Sequence, residues 1–252
     1  MHFTKIVFIA AFVLISSASQ AKQFKALLFT KTAGWHHKSI NAGVTAIEKL
    51  SQMHHFDVDW HEDPNHFNDN YLASIDVIIF LSTTGDILNK KQQSALQKFV
   101  RSGKGFVGIH SAADTEQNWP WFANLVGHKF RIHPVIQTAV ITPINIAFPG
   151  MSFFKDKQLW TDEWYEFETH RNDKLTYLMT VDESTYDANA DWGQLKGNGL
   201  GDFHPIAWYQ KFEGGRSFYT ALGHMAATYS NPQFLNHIYG GIYWAATGKG
   251  IH

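Results

Sequence analysis

The feature that most constrains this chain is the alternation of strand and helix patterns along its first half. Lys25 to Phe29 reads as a strand. A turn at Thr32-Ala33-Gly34 follows, then Ile40, Val44, Ile47 and Leu50 recur at helical spacing, and residues 56–60 alternate apolar and polar strictly. Val77 to Leu81 is a continuous apolar run of the kind buried on both faces of a parallel sheet. Asn89 and Gln92 make a capping pair, Ala95, Leu96, Phe99 and Val100 supply a buried helix face, Gly103 ends that helix, and Gly105 to Ile109 gives the next strand. Repeated alternation predicts a flavodoxin-like, doubly wound α/β fold: a mostly parallel sheet, right-handed crossovers and helices on both faces. Ligands bind such sheets in the crevice beyond the carboxyl ends of the strands. The segments after Phe29, Leu81 and Ile109 are therefore the first places to look for chemistry.

Beyond about residue 130 the pattern shifts to additional short mixed strands, near 136–141, 164–167, 175–181, 206–209 and 217–219. Pro232 then opens a last helix running to Trp244, with Phe234, Leu235, Ile238, Ile242 and Tyr243 on its apolar face. Residues 187–202, rich in Gly and Asn, read as a mobile loop. There is no linker, repeat or low-complexity stretch, so one domain is expected over 22–252. Residues 1–21 read as a signal peptide: Lys5, an apolar run over 6–15, and Ser19-Gln20-Ala21 as a small-x-small cleavage site. The run is about half the ~20 residues needed to span a bilayer. Cleavage after Ala21 and an exported product, periplasmic or secreted, without stable membrane insertion, are expected.

A formal net charge of -1 gives no field that would draw the chain to nucleic acid or an anionic membrane. The absence of cysteine excludes disulfides, thiolate nucleophiles and thiolate metal sites. By contrast, 15 His and 9 Trp suit either a heavily packed core or a pocket that stacks and hydrogen-bonds a polar ligand, and position must decide between them.

After the first strand, Trp35, His36 and His37 offer a stacking face and proton-transfer groups, or form a surface loop packed on its neighbours. After the third, Ser82-Thr83-Thr84-Gly85-Asp86 is either a capped turn or a ligand loop. After the fourth, Gly105-Phe106-Val107-Gly108-Ile109-His110-Ser111-Ala112-Ala113-Asp114 runs a buried strand into a sharp turn. Related architectures place a nucleophile there; here the position is His110, and Ser111 lacks the Gly-x-Ser-x-Gly frame. His110 reads as a general base, a metal ligand or a histidine fixed by a backbone hydrogen bond. Downstream, Asp162 and Glu163 would face opposite ways on an extended segment, so an acid pair would need Asp114 or another distant carboxylate facing Glu163. Trp119 and Trp121 are packing residues or sugar platforms. No zinc signature is present, so a metal such as zinc would need distant loops, with His37, His110, His204, His224 and Asp114 as chemically suitable donors.

Six motifs, taken together, resemble the ThuA-like (trehalose utilisation) family. They are Lys31-Thr32-Ala33-Gly34-Trp35-His36-His37, Phe80-Leu81-Ser82-Thr83-Thr84-Gly85-Asp86, the 105–114 segment, Asp162-Glu163-Trp164-Tyr165, His204-Pro205-Ile206-Ala207-Trp208, and the run from Gly215 to His224. The resemblance implies a class I glutamine amidotransferase-like, flavodoxin-like fold without the amidotransferase cysteine, hence no glutamine amidotransferase activity. It also implies sugar catabolism, often beside oxidoreductases that make 3-keto sugars. Two positions depart from the family pattern: an extra residue, Phe203, before His204, and Trp35 where Phe is usual.

The expected function is redox-neutral acid–base chemistry (isomerisation, elimination or hydrolysis) on a keto-sugar or disaccharide. His110, Asp114, Glu163, Tyr165, His204 and His224 are the catalytic candidates. Trp35, His36, His37, Thr84, Trp119, Trp121 and Trp164 are the candidates for binding the sugar. A non-catalytic sugar-binding module and a metal-assisted glycosidase are the competing expectations. No cofactor beyond a possible divalent metal is implied, and the chain carries no nucleotide-binding fingerprint. Any oxidised sugar would then come from a partner oxidoreductase in the envelope.

Overall fold

The computed structural model describes residues 21–169 and 171–250; apart from Ala21, the expected signal peptide lies outside the described residues. In chain order the elements are β1 (Lys25–Phe29), α1 (Ile40–His54), β2 (Asp57–His61), α2 (Asp69–Leu72), β3 (Val77–Leu81), α3 (Lys90–Arg101), β4 (Gly105–Ile109), α4 (Pro120–Val126) and β5 (Phe130–Ile132). They continue with β6 (Gln137–Pro143), β7 (Gln158–Asp162), β8 (Glu166–Phe167), β9 (Thr176–Asp182), β10 (Asn189–Asp191), β11 (Lys196–Asn198), β12 (His204–Phe212), β13 (Gly215–Thr220) and α5 (Pro232–Thr247). Among the described residues, no helix is long and apolar enough to cross a membrane.

Nine strands form one sheet in the order β2-β1-β3-β4-β13-β12-β9-β6-β7. The first five are parallel, and this 2-1-3-4-5 pattern is that of flavodoxin-like folds. From β13 outward the pairing is antiparallel. Helices cover both faces, as the register of two adjacent strands proves. Phe106 lies beside Ser217 and Val107 beside Phe218, and neighbouring residues of a strand face opposite ways. Ser217 donates to the Leu125 carbonyl of α4, whereas Phe218 abuts Gly241 of α5. The predicted capping box is present: Asn89 accepts from the Gln92 backbone N–H, and the Gln92 side chain accepts from that of Asn89.

The short elements α2, α4 and β5 have no counterpart in the sequence reading, and three further local outcomes differ from its pattern. Strand β7 was not foreseen, because Leu159 breaks its polar face while remaining 70% exposed at the sheet edge. The strand expected over 164–167 shrinks to Glu166–Phe167, since Trp164 turns inward to the Gln137 carbonyl and Tyr165 turns into the site. The 187–202 segment is a β-hairpin of β10 and β11 rather than plain loop. Glu166 accepts from the backbone N–H of Asn198 and Gly199, and Glu183 from those of Leu200 and Gly201, so two acidic side chains tie its return arm down.

Candidate active site

Four turns meet at the carboxyl end of the parallel strands. They follow β1 (Trp35, His37), β3 (Ser82 to Gly85), β4 (His110 to Asp114) and β13 (Ala221 to His224), and the segment joining β7 to β8 adds Glu163 and Tyr165. Isolated parallel bridges, Thr32 to Thr84 and Gly85 to Thr115, lash these turns together. Thr84 acts from beneath: its buried hydroxyl donates to the Trp35 carbonyl (2.9 Å) and accepts from the Gly34 N–H (3.2 Å). It positions the aromatic loop.

His110 begins its turn in the left-handed region at φ 55°, a conformation uncommon for residues other than glycine. The Tyr219 hydroxyl donates to the His110 carbonyl (2.7 Å) and holds it there. Because the Ala221 carbonyl can only accept, His110 Nδ1 carries the proton of the 2.8 Å bond between them. Its Nε2 therefore points at the other polar groups: Tyr165 hydroxyl at 2.9 Å, His224 Nδ1 at 3.2 Å and Glu163 Oε2 at 3.5 Å. Glu163 Oε2 also lies 3.0 Å from His224 Nδ1 and 3.4 Å from His133 Nε2. Buried, with three imidazole nitrogens around it, that oxygen still has no hydrogen bond of good geometry. His37 packs edge-on against both His110 and His224, and its Nδ1 meets Ser111 Oγ at 3.3 Å. One donor atom from each of His37, His110, Glu163 and His224 lies within 4.8 Å of every other.

The electrostatics follow from burial in a crowd of like groups. Desolvation, with His110 and His224 nearby, pushes the His37 pKa down to about 3. Burial opposes ionisation of Glu163, but the adjacent His110 and His224 outweigh it and hold the carboxyl well below its usual range. Burial likewise lowers His224, and Glu163 more than reverses this, so its pKa ends above that of a free histidine. Burial raises Asp114 against the lowering effects of Gln117 and His110. The Tyr165 hydroxyl is pushed far up by burial and neighbouring carboxylates and stays protonated.

These groups open into a cleft of about 950 Å³ lined by Trp35, His37, Asp114, Gln117, Phe130, Arg131, His133, Glu163, Tyr165, Glu168, Trp192, Leu195 and His224. Trp35 and Trp192 are 70% and 50% exposed, which leaves indole surface free for a ligand. Of the candidates read from sequence, Trp35, His37, Asp114, Glu163, Tyr165 and His224 line the cleft, with His110 directly behind Tyr165 and His224. The others lie elsewhere. His204 is buried, bonded to Glu183 (2.6 Å) and to the Tyr165 carbonyl (2.9 Å), so it braces the Tyr165 backbone and stands outside the imidazole group. Trp119 and Trp121 stack on each other, and Trp121 donates to Glu213. Trp164 is buried and donates to the Gln137 carbonyl, and exposed His36 meets Thr32 Oγ1.

Sequence reasoning missed His133, Trp192 and Arg131, and it read Asp162 only as a carboxylate facing away from Glu163. Asp162 is wholly buried and accepts from the backbone N–H groups of Gly223 and His224 (2.9 and 3.0 Å), which fixes the turn that presents His224. Arg131 pairs with Glu166 and donates to the Lys196 carbonyl (2.6 Å), so it ties β5 to the hairpin that carries Trp192.

An α/β sheet of flavodoxin-like order with an acid- and imidazole-rich cleft at its strand ends defines the class of protein. The sequence matches the family described as Trehalose utilisation, ThuA, over residues 25–245, and the chain belongs to that family. Among solved structures, a protein described as ThuA-like from Bacteroides uniformis is 22% identical, with a TM-score of 0.75 and 92% of this chain and 94% of that one covered. Another described as ThuA-like, from Parabacteroides merdae, is 20% identical with a TM-score of 0.71 and 92% of each chain covered. A β-galactosidase from Bacillus circulans sp. alkalophilus is 14% identical with a TM-score of 0.57; the match covers 91% of this chain and 31% of that one. At such identities the likeness is one of fold. No curated protein matches the sequence.

Proposed function

We propose that this chain is an exported carbohydrate-active enzyme performing redox-neutral acid–base chemistry on a keto-sugar or keto-disaccharide. The observation that carries this reading is the single cleft in which indole surface from Trp35 and Trp192 rims a floor of Asp114, Glu163, Tyr165 and imidazoles. Indole faces suit the C–H faces of a pyranose, while Arg131, Gln117 and Glu168 can pair with hydroxyls. A cleft of about 950 Å³ is at the upper end of small-molecule sites and admits two sugar rings. The family's description as trehalose utilisation supports a sugar as ligand.

Removing a proton next to a carbonyl needs a base near the carbon and a donor at the oxygen that gains charge. Asp114 is the base in this reading, since burial brings its carboxyl closer to the operating pH than an exposed aspartate would be. Tyr165 keeps its proton and, by exchanging its bond to His110 Nε2 for one to the ligand, donates to the developing oxyanion, and the His37, Glu163 and His224 group forms the polar pole beside it. A sugar oxidoreductase in the same compartment would supply the keto group, because the chain brings no nucleotide-binding motif of its own.

The test is to incubate the protein with oxidised and unoxidised disaccharides and follow products by NMR. Turnover of the oxidised sugar alone is expected. Asp114→Asn should lower kcat by about 10² to 10⁴-fold, the usual contribution of a positioned base. With Asp114 active as carboxylate, kcat/KM should fall as pH drops through a pKa above the ordinary ~3.9 of aspartate. Saturable sugar binding with no product would instead identify a non-catalytic sugar-binding module and end the enzyme reading.

A further inference from the structure

We propose that His37, His110, Glu163 and His224 bind one divalent transition-metal ion at the floor of the cleft. The Ala221 carbonyl holds the His110 proton on Nδ1, so Nε2 offers a lone pair, toward which the Tyr165 hydroxyl (2.9 Å) and His224 Nδ1 (3.2 Å) both point, with Glu163 Oε2 at 3.5 Å. The carboxylate oxygen, in a side chain only 8% exposed, has imidazole nitrogens at 3.0, 3.4 and 3.5 Å and is aligned for a hydrogen bond with none of them. An incoming cation displaces the protons shared among these groups, and the imidazole nitrogens and carboxylate oxygen then present lone pairs to one point.

The spacing agrees. Donors bound at ~2.1 Å to a common ion stand ~3.0 to 3.4 Å apart at octahedral and tetrahedral angles. The three edges among His110, Glu163 and His224 are 3.0, 3.2 and 3.5 Å; with His37 the four donors lie within 4.8 Å of one another, so the widest pair closes by a small side-chain rotation to share one ion. The supporting shell is also of the type that fixes metal-binding histidines: His110 gives its second N–H to a backbone carbonyl, and His37 Nδ1 is engaged by Ser111 Oγ. Three imidazoles and one carboxylate select zinc, iron, cobalt, nickel or manganese over magnesium or calcium, which prefer all-oxygen shells. An ion at this point faces the cleft, where His37, Glu163 and His224 are lining residues, and keeps a side open to a sugar carbonyl or hydroxyl oxygen.

The inference deepens the proposed function by naming its electrophile, and only its catalytic consequence rests on that reading. Binding is therefore measured without substrate, on protein carrying no histidine tag. After chelator treatment, Zn²⁺ and Co²⁺ are titrated calorimetrically, bound metal is counted by elemental analysis, and Co²⁺ absorption reports the ligand field. One ion per chain is expected, with visible Co²⁺ bands. Glu163→Gln and His37→Ala should each weaken affinity by at least the ~10 to 100-fold that loss of an outer-shell partner alone costs, while His36→Ala, outside the set, leaves it unchanged. Circular dichroism of each variant separates lost ligands from lost fold. Wild-type protein that binds neither ion stoichiometrically, or folded variants that bind as tightly as wild type, would overturn the inference. Protein that binds metal and leaves every sugar intact would uphold it and refute the proposed function.

Discussion

At the scale of single residues, the most exacting case outside the cleft is His237 on α5. It is wholly buried, ringed by Phe154, Phe218 and Phe234, and neither ring nitrogen has a partner. Desolvation pushes its pKa down to about 3. Between that value and the ~6.5 of an unfolded histidine, only the unfolded chain takes up the proton, so this residue makes stability fall as pH drops through that window. His237→Leu keeps the volume and removes the unmet polar atoms. It should raise stability at pH 7 by roughly 1 to 3 kcal/mol and flatten the loss of Tm between pH 6.5 and 4. Parallel Tm curves for the variant and wild type would contradict this. The same residue explains a limit of reading composition: of 15 histidines, those at strand ends could be picked out by position, but nothing in the sequence around His237 separates it from them. His110 was legible because it terminates an apolar strand, and Glu163 because its motif is distinctive. The role of Asp162, in the same motif, was not, since its partners are backbone N–H groups 61 and 62 residues away.

At the scale of elements, legibility followed burial. Strands β3 and β4, buried throughout, and α3 with its capping box announce themselves in sequence. Edge strand β7 and the β10–β11 hairpin do not, because a strand with one solvent face and a hairpin held by side chains of distant elements lack a hydrophobic period of their own. That hairpin matters for function. Its turn carries Trp192, 4.9 Å edge-on from His133, and Arg131 and Glu166 anchor its far arm. The indole is thus held over the cleft by a rigid support, and its contribution should be to binding rather than to chemistry. Trp192→Ala is expected to raise KM for a sugar substrate about 2- to 10-fold, the scale of an aromatic contact of ~0.5 to 1.5 kcal/mol, with kcat nearly unchanged. A fall in kcat with constant KM would place Trp192 in the chemical step instead.

At the scale of the whole molecule, the change of pattern near residue 130 is a change of pairing within one sheet. Strand β13, from the last fifth of the chain, lies between β4 and β12 and is the fifth parallel strand of the flavodoxin-like half. Helix α5 then returns to cover β4, so closely that a Cβ at Gly105 would overlap the Ala245 carbonyl. The cleft is built the same way: His37, His110 and Asp114 come from the first half, Glu163, Tyr165 and His224 from the second. Neither half can bury its share of β4 or β13 alone, since every residue of β4 is buried and its two neighbours, β3 and β13, come from opposite halves of the chain. Unfolding should accordingly be one cooperative event. Scanning calorimetry is expected to give a single transition with calorimetric and van't Hoff enthalpies in a ratio near one. Two resolved transitions would mean that the antiparallel extension β12-β9-β6-β7 melts as a unit of its own, and the continuous sheet would then transmit far less stability to the cleft than its register implies.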